Sequence, residues 1–288
     1  MDQQLRFGIC TDQNLPWTTL AERWRRYEAL GFDSIWDCDH LYQPSKPTGP
    51  YFEAWTLLAA LATQTERVRI GVLVTCNTFR HPALLAKEAV TVDHISNGRL
   101  ELGLGAGWFA AEHERFGIPF PPPGELVGRF RESVELIDGM LRNETSTYEG
   151  QYYQLHDAPA RPGPVQRPRP PLTLAAMGPK MLAIVAQHAD AWNSSGSVDE
   201  VRARNQMLDE CCAAIGRDPR AIRRGIYGWA AKLPSDPWAS VGAFEDVVGT
   251  YREVGINEFI IDMPRDDQSD VLEKVATDVL PALRASPQ

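Results

Sequence analysis

Two stretches of sequence decide the fold: Leu102-Gly103-Leu104-Gly105-Ala106-Gly107-Trp108-Phe109 and, upstream, Asp37-Cys38-Asp39-His40. Each has the pattern of a short strand that runs directly into a loop, with glycines or acid and base residues at the strand's C-terminal end. In a chain of alternating strands and helices, the loops at that end converge on one rim, where ligands bind. The two stretches therefore predict a barrel enzyme and the part of its rim that carries the chemistry.

The same alternation of strands and helices continues along the chain. Helical periodicity is plain at 125–142, where Leu126, Phe130 and Val134 recur on one face. Eight strand–helix units in 288 residues are typical of an α/β protein with a single-domain (β/α)8 TIM barrel over residues 1–288. An open, doubly wound sheet is the structural alternative. The predicted strands are Arg6–Cys10, Ser34–Asp37, Arg69–Val74, Arg99–Leu104, Leu172–Ala175, Ala191–Ser194, Arg224–Ala230 and Glu258–Asp262.

The alternation of strands and helices is interrupted at residues 145–171. Alternating aromatic and apolar side chains at Tyr148, Tyr152, Tyr153 and Leu155 predict a small hairpin. A tail rich in proline and arginine follows, and it predicts a linker into the fifth strand of the barrel. We therefore expect a short hairpin and loop insertion at this point of the barrel.

Charge and composition narrow the range of functions. The formal net charge of −9 argues against general binding to nucleic acid or to an anionic membrane. No apolar run approaches the roughly 20 residues of a membrane span, and the N-terminal residues lack a signal-peptide pattern. The five cysteines have neither CxxC nor histidine-paired spacing, so we expect no disulfide framework, no bound metal and a cytoplasmic location.

His40 is the candidate catalytic residue. It follows a predicted strand, which places it on the rim of the barrel, and histidine can relay a proton near neutral pH. The neighbouring carboxylate of Asp39 can orient the ring. The alternative is a histidine that only caps the next loop, and the position at a strand end favours the functional interpretation.

Glycines dominate the loop after the fourth strand. Gly103, Gly105 and Gly107 resemble a dinucleotide-binding loop only superficially, because the third glycine of that motif is missing. Glycines allow a flat ring to approach the backbone closely, although a tight strand-to-helix turn explains at least one of the three. Trp108 and Phe109 could wall an aromatic cofactor, although such residues more often pack.

A phosphate site is predicted in two late loops. The segment 175–179, Ala-Ala-Met-Gly-Pro, opens a helix whose free N–H groups suit an anion, and Ser195-Gly196 after the next strand adds donors. Ordinary helix capping with proline in the first turn is the alternative. Cys76, after the third strand, has no obvious base and is interpreted as a packing residue rather than a nucleophile.

Taken together, these motifs resemble the luciferase-like monooxygenase superfamily of flavin- and deazaflavin-dependent barrels. The resemblance runs from Leu5 to about Leu283, and the order and spacing of the motifs carry it. The motifs are Asp39-His40, Gly71–Pro82, Asn97-Gly98-Arg99 before Gly103–Trp108, Glu112-His113, and Ala175–Pro179 before Ala189–Asn193.

Within that superfamily, an Asp-His pair after the second strand is similar to members that use coenzyme F420, a deazaflavin. The resemblance implies that Asp39 contacts the polar edge of the cofactor and that His40 transfers a proton beside the hydride transfer. It also implies a non-prolyl cis peptide at Leu73–Val74 against the ring. The implied cofactor-binding residues are Asp39, Leu73, Val74, Cys76, Gly105, Gly107, Ala175, Ala176, Met177, Gly178, Pro179, Ser195 and Gly196.

One departure from the family pattern concerns the substrate. The sugar-phosphate dehydrogenases of this group carry a glutamate as proton donor where this chain has Trp108. Loss of that carboxylate makes the wall of the site apolar, which puts sugar-phosphate chemistry in doubt and suggests a more apolar organic substrate. The predicted substrate pocket consists of Trp36, Tyr42, Tyr51, Trp55, Trp108 and Phe109.

The resulting expectation is an F420-dependent oxidoreductase that transfers a hydride between the deazaflavin and a small organic substrate, with reduction of a C=C, C=N or C=O group. One alternative is an FMN-dependent monooxygenase supplied by a partner flavin reductase, because the same loops suit FMN. A further alternative is a non-catalytic barrel that binds flavin. The resemblance also implies a homodimer.

Overall fold

The strands of the protein form a closed parallel barrel and a separate hairpin. In a computed structural model, which describes residues 4–230 and 232–285, all strands except β6 and β7 belong to one parallel sheet. The strands are β1 (Arg6–Cys10), β2 (Ser34–Asp37), β3 (Arg69–Val72), β4 (Thr75–Cys76), β5 (Leu100–Gly105), β6 (Thr145–Glu149), β7 (Gln154–Pro159), β8 (Leu172–Ala175), β9 (Ala191–Ser194), β10 (Arg223–Gly228) and β11 (Glu258–Asp262).

Two features of the strand pairing close the barrel. Strand β1 lies between β2 and β11, so the first and last strands of the chain are neighbours. Strands β3 and β4 both pair with β5 and together form one barrel strand. Counting them as one gives eight parallel strands, which confirms the (β/α)8 barrel and excludes the open sheet.

Helices surround the barrel. In the part of the chain that the structure describes, no helix is both long enough and apolar enough to cross a bilayer. The helices are α1 (Trp17–Ala29), α2 (Ala54–Leu61), α3 (Pro82–Ile95), α4 (Ala110–Phe116), α5 (Pro123–Arg142), α6 (Pro179–His188), α7 (Val198–Ala214), α8 (Val241–Arg252), α9 (Ser269–Lys274) and α10 (Leu280–Ala285), with a π-helical turn at Val275–Val279 between the last two.

The helices bury their apolar faces against the outside of the barrel. Helix α5 shows the pattern, because Phe130, Val134 and Ile137 are almost fully buried at the spacing read from the sequence. Helix α1 ends just before Gly31, whose φ of +81° lies in the left-handed region that favours glycine. The core therefore lies mainly between barrel and helices, as in other barrels of this type.

The predicted strand boundaries differ from the structure at three places. The predicted strand at 69–74 is interrupted at Leu73–Val74, a cis peptide. Arg99 lies just outside β5, and its guanidinium binds carbonyl oxygens of the segment that leads into β3. Strand β10 covers 223–228 rather than 224–230. The predicted hairpin is confirmed as β6 and β7, and residues 160–171 lead from it to β8.

Candidate active site

His40 and Glu112 form a hydrogen-bonded pair at the C-terminal end of the barrel. His40 lies in the loop after β2, and Glu112 lies in the first turn of α4, beyond β5. The distance from His40 Nδ1 to Glu112 Oε2 is 2.9 Å, and Glu112 is almost fully buried. Because a carboxylate only accepts, Nδ1 carries the proton in this bond, and Nε2 is the nitrogen left to exchange a proton with a ligand.

Glu112 also fixes the backbone that follows the histidine. Its Oε1 atom accepts hydrogen bonds from the N–H groups of Leu41, at 2.5 Å, and of Tyr42, at 3.4 Å. The carboxylate thus holds both the ring and the loop of His40. Sequence reasoning noted Glu112 only as part of a family motif, and its pairing with His40 was missed.

The orienting carboxylate expected beside His40 was Asp39, and this expectation is wrong. Arg80 forms a two-pronged ion pair with Asp39, with N–O distances of 2.5 and 3.0 Å, and the N–H of Cys76 donates to the same carboxylate. Asp39 is only 4% exposed. Both oxygens therefore bind protein groups that fix the loop after β4, and contact between Asp39 and a cofactor stays a prediction.

Aromatic side chains flank His40. The rings of Trp108 and Phe109 stand edge-on to the imidazole at 5.9 and 6.2 Å and stack on each other at 5.0 Å. Tyr42 packs against Phe109 at 5.7 Å. Trp108 is 63% exposed, which is unusual for an indole and leaves an apolar surface open beside the histidine. We call Tyr42, Trp108 and Phe109 the aromatic shelf.

The other aromatic residues of the predicted substrate pocket lie elsewhere. Trp36 is completely buried inside the barrel, and its indole N–H donates to Ser34. Trp55 is buried and donates to Thr75. The expectation that these two rings line an open pocket is therefore wrong. Tyr51 is partly buried and donates to Gln13.

The glycines in β5 and just after it pack against neighbouring residues. A Cβ atom on Gly103 would lie 2.0 Å from the carbonyl oxygen of Val72, and one on Gly105 would lie 2.6 Å from the Val74 side chain. Gly107 has φ +94°, and its Cβ would meet Cys76 and Thr78 at about 3 Å. These contacts account for the glycines by packing and backbone conformation, and cofactor contact at Gly105 and Gly107 stays a prediction.

Cys76 takes part in a chain of partly buried hydrogen bonds. Its Sγ lies 3.1 Å from Thr78 Oγ1, which in turn contacts His113 Nε2, while His113 Nδ1 bonds to the carbonyl oxygen of Phe109. Burial raises the pKa of Cys76 to about 11, so the thiol keeps its proton. This supports the interpretation of Cys76 as a packing residue rather than a nucleophile.

Asn77 presents a buried donor at the same end of the barrel. Its backbone N–H bonds to Gly105, but its side-chain Nδ2 has no hydrogen-bond partner among the described residues. A buried amide without a partner is costly and is commonly satisfied by a ligand. Leu73 and Val74 lie just before it, in the small cluster that also holds Cys10 and Trp36. Sequence reasoning did not single out Asn77.

The predicted phosphate loops are neighbours, because β8 and β9 pair in the barrel. Gly178 caps helix α6 without a side-chain hydrogen bond, and a Cβ there would meet nothing within 4 Å. The first turn of α6 has no acidic residue, and the exposed Met177 lies just before its N-cap. Open space at the start of a ten-residue helix is suited to an anion.

The second phosphate loop carries a cation that sequence reasoning missed. Arg204, on α7, donates to the Ser195 carbonyl oxygen at 2.6 Å. A Cβ on Gly196, which has φ +119°, would lie 3.2 Å from the same guanidinium. No local sequence signal marks Arg204, because it is one arginine on a helix rich in charged residues. Ala175 and Ala176 complete the small-residue surface on the β8 side.

One buried carboxyl at the rim has a consequence for stability. Asp37 is fully buried, and neither of its oxygens has a hydrogen-bond partner in the described part of the chain. Burial, reinforced by the charges of Asp39 and Glu53, raises its pKa well above the usual value. Because the folded-state pKa is the higher one, the stabilising effect of this proton is complete below the unfolded-state pKa and is lost as the pH rises through the folded-state pKa.

We therefore expect Asp37→Asn to raise the melting temperature at alkaline pH and to flatten its decline as the pH rises. Toward acid pH the difference between the variant and the wild type shrinks, since the wild-type carboxyl takes up its proton there. Thermal unfolding followed by circular dichroism measures both effects. Asp246→Asn, on the exposed face of α8, is the matched control and leaves the pH slope unchanged. An unaltered slope in Asp37→Asn would contradict the prediction.

Comparison with known proteins places the chain in a family. A sequence profile of luciferase-like monooxygenases matches residues 5–236, so the chain belongs to the luciferase-like monooxygenase family, as the motifs led us to expect. An F420-dependent glucose-6-phosphate dehydrogenase from Intrasporangium calvum is 30% identical over 92% of this chain and 94% of its own length. A protein of the same name from Beutenbergia cavernae is 29% identical over 94% and 93%.

Solved structures share the fold. The coenzyme F420-dependent tetrahydromethanopterin reductase from Methanopyrus kandleri superposes with a TM-score of 0.83 at 19% identity, over 97% of this chain and 99% of that one. An F420-dependent secondary alcohol dehydrogenase in complex with an F420-acetone adduct gives 0.84 at 20% identity, with the same coverage. At these identities the similarity establishes the barrel architecture alone.

Proposed function

We propose that this chain is a coenzyme F420-dependent oxidoreductase that acts on a small organic substrate, with His40 as its proton-transfer residue. The observation that carries the proposal is the pair of His40 and Glu112 beside the aromatic shelf, on the barrel rim that also holds the phosphate loops. The names of the curated relatives support the choice of cofactor.

The residues at the rim fit a deazaflavin nucleotide. The unpaired Asn77 amide suits an acceptor atom on a polar ring, and the apolar side chains of Leu73 and Val74 suit a ring face. Gly178 offers open space for a phosphate at the start of α6, and the neighbouring loop of Ser195 and Gly196 lies beside Arg204, whose guanidinium also pairs with Glu200. When bound, F420 supplies or accepts a hydride and reacts poorly with oxygen.

His40 performs the acid–base part of the reaction in this proposal. In the reductive direction, its protonated Nε2 donates a proton to the substrate atom that gains negative charge. Glu112 keeps Nδ1 protonated, orients the ring and stabilises the imidazolium through its negative charge. The aromatic shelf holds the apolar part of the substrate and excludes water from the proton transfer.

The charge of a neighbouring cavity supports a substrate without phosphate. A cavity of about 590 Å³ opens beside the ends of β1, β10 and β11, and Asp12 and Asp262 are among its lining residues. Its arginines are neutralised, since Arg23 pairs with Asp266 and Arg265 pairs with Asp236. Burial raises the pKa of Asp262 to about 6 and also raises the pKa of Asp12. Such a lining repels a phosphate dianion and favours hydroxyl or amine donors.

The remaining parts of the proposal concern context. We propose that the chain acts as one domain over residues 1–288, in the cytoplasm and as a homodimer, without nucleic-acid or membrane partners. The net charge of −9 supports the absence of nucleic-acid and membrane partners, because a negatively charged protein is repelled by anionic surfaces.

Side-by-side binding of F420 and FMN, followed by fluorescence quenching, tests the cofactor. We expect selective binding of F420 and a loss of affinity of about ten-fold or more in Gly178→Asp, which places a negative charge at the start of α6. Aspartate is a favourable cap, so the helix itself keeps its stability. Gly124→Asp, in the first turn of α5 and equally open in space, is the matched control and leaves the affinity unchanged.

Two outcomes would overturn this assignment. Preference for FMN with oxygen uptake would favour a monooxygenase supplied by a flavin reductase, and tight binding without turnover on a broad panel of acceptors would favour a non-catalytic barrel. Glucose 6-phosphate belongs in the panel together with alcohols, ketones and enones. Efficient oxidation of glucose 6-phosphate would contradict the proposed substrate class but leave the cofactor assignment intact.

A further inference from the structure

Two cysteines meet at the rim of the barrel. Cys10 is the last residue of β1, and Cys38 follows β2 directly, so the neighbouring parallel strands bring them together. Their Sγ atoms are 3.4 Å apart, and both thiols are free. A disulfide requires a separation of about 2.05 Å, so the sulfur atoms need to approach by only roughly 1.4 Å, a movement within the reach of side-chain rotation.

One of the two thiols, that of Cys38, is partly exposed, whereas Cys10 is buried. Cys10 lines the cavity described above, and Cys38 is partly exposed, whereas the rest of the surrounding cluster is apolar and includes Trp36 and Leu73. The hydrogen bond to Cys38 raises the pKa of Cys10 well above its usual value, with burial as the second cause. Cys10 therefore keeps its proton, and the more exposed Cys38 is the sulfur that an oxidant meets first.

The other cysteines lack this arrangement. Cys76 is buried and bonded to Thr78, and Cys211 and Cys212 are consecutive residues on α7, where adjacent side chains point in different directions. Oxidation chemistry that needs two facing thiols is therefore specific to Cys10 and Cys38 among the five cysteines.

We propose that Cys10 and Cys38 form a redox-active dithiol that a hydroperoxide converts into an intramolecular disulfide. Cys38 gives up its thiol proton as its sulfur attacks hydrogen peroxide, the O–O bond breaks, and the departing hydroxide takes up that proton, so that a sulfenic acid and one water form. Cys10 then attacks the Cys38 sulfur, the S–O bond breaks, and the departing hydroxide takes the Cys10 proton to give a second water. Two thiols are oxidised and one peroxide is reduced.

Disulfide formation acts on His40 through the backbone. The carbonyl oxygen of Cys38 accepts the N–H of His40 at 3.0 Å, and the N–H of Cys38 donates to Gln13 at 2.8 Å. Drawing Cys38 toward β1 shifts this loop and with it the imidazole. A displacement of this kind at a catalytic group lowers turnover, by roughly ten-fold here. The effect on turnover rests on the proposed function, whereas the disulfide itself does not.

The test uses the full chain, reduced and then treated with hydrogen peroxide, alkylated with N-ethylmaleimide and digested. We expect mass spectrometry to find a peptide pair linked through Cys10 and Cys38, lighter by two hydrogen atoms and released by dithiothreitol. Cys38→Ser and Cys38→Ala form no link, and Cys211→Ser forms it as the wild type does. Full alkylation of both cysteines after peroxide treatment would overturn the proposal.

Turnover is compared before and after oxidation within each variant. A loss of roughly ten-fold that dithiothreitol reverses in wild type and Cys211→Ser, and that is absent in both Cys38 variants, supports the effect on His40. A linked but fully active enzyme would contradict that effect. If the protein shows no F420 activity at all, the linked peptide still tests the dithiol, so the two failures are distinguishable.

Discussion

The His40→Ala variant is expected to lose about 10²–10⁴-fold in turnover, the range that removal of a general acid–base group typically costs. The loss should fall on kcat, because the phosphate loops that would hold the cofactor lie on other strands, β8 and β9. Binding of F420 by fluorescence quenching and steady-state kinetics on one substrate separate the two quantities. We expect the dissociation constant of F420 to stay close to the wild-type value.

His156→Ala provides the matched control for this experiment. His156 also contacts a carboxylate, with its Nδ1 3.2 Å from Glu149, but it lies on the hairpin, and its side chain is 76% exposed. Its replacement removes the same chemical group from a position outside the barrel rim, so turnover should not change. Full activity of His40→Ala with intact cofactor binding would remove His40 from the mechanism and leave Glu112 as a structural residue.

The barrel could be predicted because its signals are local. The alternation of short apolar runs with helical periodicity is visible within windows of ten to twenty residues, and the predicted strands match the observed ones within about two residues. Closure of the sheet is not local, because β1 pairs with β11 across the whole chain. For that reason the pattern alone left the open sheet as an alternative, and the family motifs were needed to favour the barrel.

Only part of the candidate site could be predicted, because some of its contacts join residues that are distant in sequence. Position at a strand end identified His40, but its partner Glu112 is 72 residues away in sequence and arrives only because the loops after β2 and β5 meet at the rim. Asp39 is adjacent to His40 in sequence, yet its carboxylate turns toward Arg80. The N–H of His40 bonds to the carbonyl oxygen of Cys38, so the chain turns at Asp39 and the two side chains reach different partners. Sequence proximity was therefore a poor guide to the orienting group.

Aromatic residues were predicted least well. Trp36 and Trp108 both lie near predicted strand ends, but one is sealed inside the barrel and the other is open at the rim. Whether an inward-facing ring contacts a ligand depends on which layer of the barrel it occupies. That depth depends on the register between neighbouring strands, which the sequence pattern does not reveal.

A buried ion network closes the opposite end of the barrel. Glu101, near the start of β5, pairs with Arg6 at 2.8 Å, with Arg69 at 2.6 Å and with Arg223. Burial alone would raise the pKa of Glu101, but the charges of Arg223, Arg6 and Arg69 outweigh it and lower the pKa to about 2. This end of a barrel serves stability rather than chemistry, so its charges should matter for unfolding and not for turnover.

Glu101→Gln is therefore expected to lower the free energy of unfolding by about 3–5 kcal/mol, because it leaves three arginines around a neutral amide in place of the carboxylate. Urea unfolding at pH 7 measures the loss. Glu125→Gln, which breaks a surface pair with Arg129 one turn along α5, should cost only about 0.3–0.5 kcal/mol.

Since the folded-state pKa of Glu101 is lowered, its contribution to stability is present above the unfolded-state pKa and disappears as the pH falls toward 2. The difference between wild type and Glu101→Gln should accordingly shrink in acid, and equal stabilities at pH 7 would show that the network contributes nothing net to the fold.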